Sequence, residues 1–150
     1  MSIEHWVAHA QTPVNANTVI DDPTMDRPGT LGEIETLPYV VPEGRILIIR
    51  KQGIEGTKTP NAALFPWIGP DFPLNCTSAQ KSAHRIEKAL FTVQSNGGSK
   101  VHDVLWILPA GTRLHIAITN GTGALTTLAW FIRGFLILDN EDPIEAVRGL

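Results

Sequence analysis

The chain has 150 residues, 43% of them hydrophobic and 18% charged, with a formal charge of −3. That is one domain's worth of sequence, able to bury roughly two thirds of its unfolded surface, and it lacks the basic footprint of a nucleic-acid-binding protein. A single cysteine, Cys76, excludes an internal disulfide framework.

Residues 2–11 are predicted as a short helix capped by Ser2. The opening MSIEHWVAHAQTP has no basic start and no apolar run, so no secretory leader is expected. The stretch that follows, TPVNANTVIDDPTMDRPGTLGEIETLP, lacks apolar periodicity and is punctuated by Pro13, Pro23, Pro28 and Pro38. Residues 1–37 hold six acids and one base. They read as an extended acidic N-terminal arm, with Ile20, Met25, Leu31 and Ile34 spaced as apolar anchors that dock one at a time.

From Tyr39 the character changes. RILIIRK is a short run rich in β-branched residues and is predicted as a strand, with QGIEGTKTP as a loop after it. NAALFPWIGPDFP interleaves three aromatics with three prolines. Proline withholds a ladder hydrogen bond, so this segment is expected as a short edge strand running into an aromatic loop. SAQKSAHRIEKALFTVQ mixes helical spacing with strand alternation, and a strand over about residues 85–94 is favoured. SNGGSK is a turn, and VHDVLWIL is the next strand.

TRLHIAIT alternates, with Leu114, Ile116 and Ile118 on one face and Arg113, His115, Ala117 and Thr119 on the other. ALTTLAWFIRGFLIL is a long strand or strand pair in which Gly134 marks a bulge or bend. DNEDPIEAVRGL is a polar tail ending in a turn of helix. The most apolar segment, residues 128–138, contains Arg133 and is much shorter than the ~20 residues of a membrane helix. A soluble protein without membrane insertion is expected.

Seven or eight strands with frequent turn signals, and 13 Gly and 11 Pro to make them, give an all-β fold, a sandwich or barrel. One device appears twice. YVVPEGRILII and LWILPAGTRLHI align Pro42 on Pro109, Gly44 on Gly111, Leu47 on Leu114 and Ile49 on Ile116. Each proline ends one extended segment, and each glycine permits a change of direction. The repeat therefore predicts two equivalent corners where the chain crosses between sheets.

Chemistry-bearing motifs are sparse. The surroundings of Cys76, FPLNCTSAQ, supply no base to activate a thiol. His5 and His9 share a helical face but have no third metal ligand nearby, and His102 and Asp103 point to opposite faces of a strand. No phosphate loop or Ser–His–Asp order stands out. No catalytic residue, metal ligand or cofactor is assigned. Phe65, Trp67 and Phe72 in the proline-rich loop are the candidate contact residues, a rigid aromatic platform for a glycan or a protein partner. Capping of the sandwich end by these rings is the competing structural reading. Trp106 and Trp130 are expected in the core.

Two family resemblances bear on these residues. The Pro-x-Gly corner followed by a histidine resembles the second motif of cupins, but Leu114 stands where the ligand histidine belongs and His115 falls one residue late, on the opposite face. The family's first motif, His-x-His with a later Glu, is missing. The course from YVVPEGRILII through LPAGTRLHIAITNGTG to LAWFIRGFLILD, roughly residues 38–140, resembles small jelly-roll proteins of tailed phages and phage-derived particles: head spikes, fibres and decoration proteins. That resemblance implies a jelly-roll-like β-sandwich over 38–140, a docking arm over 1–37 and a tail over 141–150. It also implies a non-enzymatic role in the virion, assembled in the host cytoplasm. The partners it implies are other capsid or tail proteins, copies of the chain itself and a host-surface glycan. The alternatives are a carbohydrate-binding module using the aromatic loop and a degenerate cupin-like protein.

Overall fold

A computed structural model describes residues 3–23, 37–55, 60–69, 93–96 and 100–148. Among these residues nine strands run in chain order: β1 (Glu4–Val14), β2 (Thr18–Asp21), β3 (Tyr39–Val40), β4 (Arg45–Glu55), β5 (Pro60–Ile68), β6 (Val93–Asn96), β7 (Lys100–Leu108), β8 (Arg113–Asn120) and β9 (Thr126–Leu138). One short helix, α1 (Pro143–Val147), follows. Its N-terminus is capped by the Asp142 carboxylate, which accepts from the Ile144 amide at 2.9 Å.

The strands form two antiparallel sheets packed as a sandwich. The first has the order β1-β9-β4-β7 and the second β2-β8-β5-β6, with β3 also on β8. β2 pairs with residues 117–120 of β8 and β3 with residues 113–114, so the two short strands share one edge of β8 as halves of a broken strand. Counted that way, the pairing is nested: first strand with last (β1–β9), second with seventh (β2/β3–β8), third with sixth (β4–β7), fourth with fifth (β5–β6). A long antiparallel ribbon rolled once onto itself gives this pattern, and it is the jelly roll.

The repeated sequence occupies opposed corners of that ribbon. Pro42–Arg45 carries the chain from the second sheet to the first, and Pro109–Thr112 carries it back. Each is closed by the same bond, Arg45 N to Pro42 O and Thr112 N to Pro109 O, both 3.2 Å. Gly44 and Gly111 sit at the third position of these turns with φ of 77° and 84°, as type II turns require. The two corners also bond to each other: the Val41 amide donates to Thr112 O and the Gly111 amide to Val41 O, both at 2.9 Å.

The core lies between the sheets. Trp6, Ala8, Ala10 and Val14 of β1 meet Leu47, Ile49 and Ile54 of β4, Ala62 and Leu64 of β5, Leu114, Ile116 and Ile118 of β8, and Leu128, Trp130, Ile132 and Leu136 of β9. The Trp130 indole donates to Thr12 Oγ1 at 3.0 Å, so its polar atom is satisfied inside. A second, smaller cluster on the outer face of the first sheet packs α1 through Ala146 and Val147 against Ile46, Ile48 and Ile137. At the far end, the buried Asn120 amide donates to the carbonyls of Val14 (3.0 Å), Asn15 (3.3 Å) and Ala124 (2.8 Å), tying the β1–β2 and β8–β9 turns together. Among the described residues, no helix is long and apolar enough to cross a membrane.

Several expectations need correction. Residues 4–14 are a strand, not a helix: Trp6, Ala8, Ala10, Thr12 and Val14 are buried in strict alternation, and pairing along the whole of β9 outweighs the helical propensity of Glu and Ala. The first 21 residues of the expected arm are thus largely part of the sandwich, and Ile20 packs on its own core instead of reaching out as an anchor. Met25, Leu31 and Ile34 lie outside the described residues. β4 runs on through Glu55 into the expected loop. β5 is an interior strand, held by β8 and β6. Pro66 fits because β6 reaches only as far as Leu64, leaving Pro66 with β8 as its described neighbour.

The bulge expected at Gly134 lies instead on the neighbouring strand, opposite it. The β4–β9 register slips between Ile49 and Lys51, making Arg50 the extra residue. A side chain at 134 would collide with the Ile48 carbonyl oxygen and with Ile49 Cα at 2.9 Å. Gly134→Ala is therefore expected to destabilise by about 3 kcal/mol or more, because backbone has to shift. At Gly44 and Gly111 a Cβ meets nothing within 4 Å, so alanine there costs only the left-handed backbone, about 1 kcal/mol each. Thermal melts of the three variants check the order; equal losses would contradict it.

Candidate functional site

β5 and β8 run side by side with Trp67 opposite His115. Both side chains leave the core face, yet both are buried, Trp67 at 0% and His115 at 1% exposure. Their rings stack at 3.9 Å with an interplanar angle of 11°. Asp22, just past β2 with φ of 46°, closes the arrangement. Its carboxylate lies 2.8 Å from His115 Nδ1 and accepts from the Ile116 amide at 3.0 Å, while its own amide donates to Ile116 O at 2.7 Å. The Gly69 carbonyl lies 3.0 Å from His115 Nε2.

A His–Asp pair invites comparison with acid–base machinery, where the second ring nitrogen faces a nucleophile or substrate. Here that nitrogen is committed to Gly69 O. Both ring nitrogens face protein oxygens, Asp22 Oδ2 and Gly69 O. The arrangement works as a clasp that fastens residue 22 and residue 69 to the middle of β8. Trp67 is the lid on the clasp and does not present its face to a ligand. Phe65, expected beside it on a loop, lies on β5 on the same face and is half-buried; Phe72 lies outside the described residues. The clasp was missed in the sequence because Asp22 and His115 are far apart and join only through the β2–β8 pairing. Leu114, at the cupin-like ligand position, points into the core.

The outer face of the first sheet differs. On the outward side of the edge strand β7, Val101, Leu105 and Ile107 are 51%, 44% and 39% exposed, with the charged Asp103 between Val101 and Leu105. One transverse row passes through this strip at Asp103 and crosses all four strands: Val7, Arg133, Lys51 and Asp103. Around it lies a cleft of about 290 Å³, lined also by His5, Arg50 and Phe135. Lys51 Nζ is 3.5 Å from the exposed Asp103 carboxylate, and the Arg133 guanidinium lies 4.5 Å above the Phe131 ring. Among the described residues, no group of three or more His, Cys, Asp or Glu is placed to hold a metal ion.

The clasp predicts that Trp67→Ala lowers stability by about 3–5 kcal/mol, as for other buried aromatics, or on the order of 10 °C in Tm for a chain of this size. Asp22→Ala, which strands the Ile116 amide and a ring nitrogen, is expected to cost about 3 kcal/mol. An unchanged melting temperature for Trp67→Ala would restore the exposed-platform reading. No protein-family model matches the chain, and no curated protein is significantly similar to it.

Proposed function

We propose that the chain is a non-enzymatic structural protein of a virion, a jelly-roll unit that packs against copies of itself and neighbouring particle proteins. The observation that carries this is the apolar strip of β7. Val101, Leu105 and Ile107 lie on one face of an edge strand, where large apolar side chains are otherwise kept from water. A second copy of the same strip is its simplest cover, since a two-fold contact needs one self-complementary surface. The fold supports the reading, because jelly rolls recur in capsid proteins.

Docking by the first residues takes a narrower form than a whole free arm. Residues 4–14 are committed to β9 and do not serve as a free arm; the remaining anchors of the docking reading, Met25, Leu31 and Ile34, lie outside the described residues. Adhesion through the aromatic loop is not carried forward, since Trp67 is buried.

Light scattering on a sizing column tests the assembly. The chain is expected as a discrete oligomer, and Leu105→Arg as a folded monomer of 16.4 kDa. A wild-type monomer at micromolar concentration would remove the strip as an interface. Sedimentation of a source-culture lysate tests the particle: the chain should band with virions, and its confinement to the soluble fraction would overturn the virion assignment.

A further inference from the structure

The bulge in β4 does more than relieve crowding at Gly134. In a regular strand, Arg50 and Lys51 would point to opposite faces. The register slip at this point breaks the alternation: Ile49 and Ile54 belong to the core, while Arg50 and Lys51 both line the outer cleft. Arg133, paired with Lys51 across the strands, adds a third cation. Asp103 is the one carboxylate lining the cleft among the described residues, and it is engaged by Lys51. Arg50 and Arg133 have no carboxylate partner there. A chain with a net charge of −3 thus gathers three cations against one anion in a single concavity.

The rest of the lining is aromatic and apolar. His5 and Phe135 pack with centroids 5.0 Å apart at 50°, beside Val7 and the bare backbone at Gly134. Guanidinium groups present paired N–H donors that match a carboxylate's two oxygens, and a ring wall offers a surface to the C–H face of a pyranose. The volume, about 290 Å³, is at the small end of ligand pockets. We propose that this cleft binds a carboxylate-bearing saccharide unit of one ring: Arg50 and Arg133 hold the carboxylate, Lys51 supplies further positive potential, and the His5–Phe135 wall supports the sugar ring. This binding does not rest on self-assembly, although the cleft and the β7 strip meet at Asp103.

Titrating the full chain with glucuronate, glucose and inorganic phosphate, followed by amide chemical shifts, tests the assignment. Glucuronate is expected to shift the amides of Lys51, Arg133 and Phe135, to bind at least about tenfold more tightly than glucose, and to weaken as salt is raised. Arg50→Gln and Lys51→Gln should each reduce the affinity severalfold while the remaining spectrum keeps its dispersion. Lys51 is half-exposed, so its variant leaves the packing alone. Glucose binding as tightly as glucuronate would overturn the role of charge. Phosphate matching glucuronate would overturn the saccharide in favour of a bare oxyanion site. No shifts at the cleft with any of the three would overturn the site itself.

Discussion

Two hydrogen bonds between Val41 and the Gly111–Thr112 peptide join the corners of the sandwich. Much else depends on them. Where the ribbon bends, neighbouring strands have to bend at the same level, or the pairs on either side fall out of register. The β3–β4 corner and the β7–β8 corner belong to adjacent turns of the nested pairing. Matching Pro-x-Gly chemistry at both lets one ribbon leave the first sheet and enter the second without breaking its ladder. The later strands then find their places: β9 between β1 and β4, and β8 between the β2/β3 edge and β5. The core apolar sets of these strands are thereby aimed inward together.

The body of the fold was legible because its signals are local. The alternation in TRLHIAIT, the β-branched run RILIIRK and the turn residues of the two corners each state their structure within a few residues, and the structure agrees. β1 failed because its inward residues are Ala8, Ala10 and Thr12, small or polar side chains whose alternation is faint until Trp6 and Val14 are set at either end of it. β5 failed as an edge because proline's restriction applies only where a neighbouring strand needs the missing amide, and the described β5–β6 pairs run only from Pro60 to Leu64. Sites fared worse than strands. The clasp needs Asp22 beside His115, and the cleft needs a bulge to put Arg50 and Lys51 on one face; neither arrangement has a motif.

The two faces of the sandwich carry different chemistry for a structural reason. On the second sheet, positions facing away from the core are closed over: His115 and Ala117 are buried even though they alternate with core residues. Asp22, Gly69 and Trp67 supply the cover at His115. On the first sheet α1 covers one end, and the rest stays open with an apolar edge and a cationic centre. The proposed binding and the proposed assembly both draw on that open face, whereas the covered one keeps the broken edge of β8 in register.

Nested pairing also sets an order of events during synthesis. β5 and β6 can meet early, but Glu4 has to wait for Leu136, a partner that leaves the ribosome long after it. Until then β1 stays unpaired, with Trp6 in water. Contacts this distant in sequence make folding slow, and the exposed edges of the waiting strands are prone to pair with other chains. Fast synthesis of many copies would raise the encounters between half-rolled ribbons, a cost that the stability of the finished sandwich does not measure.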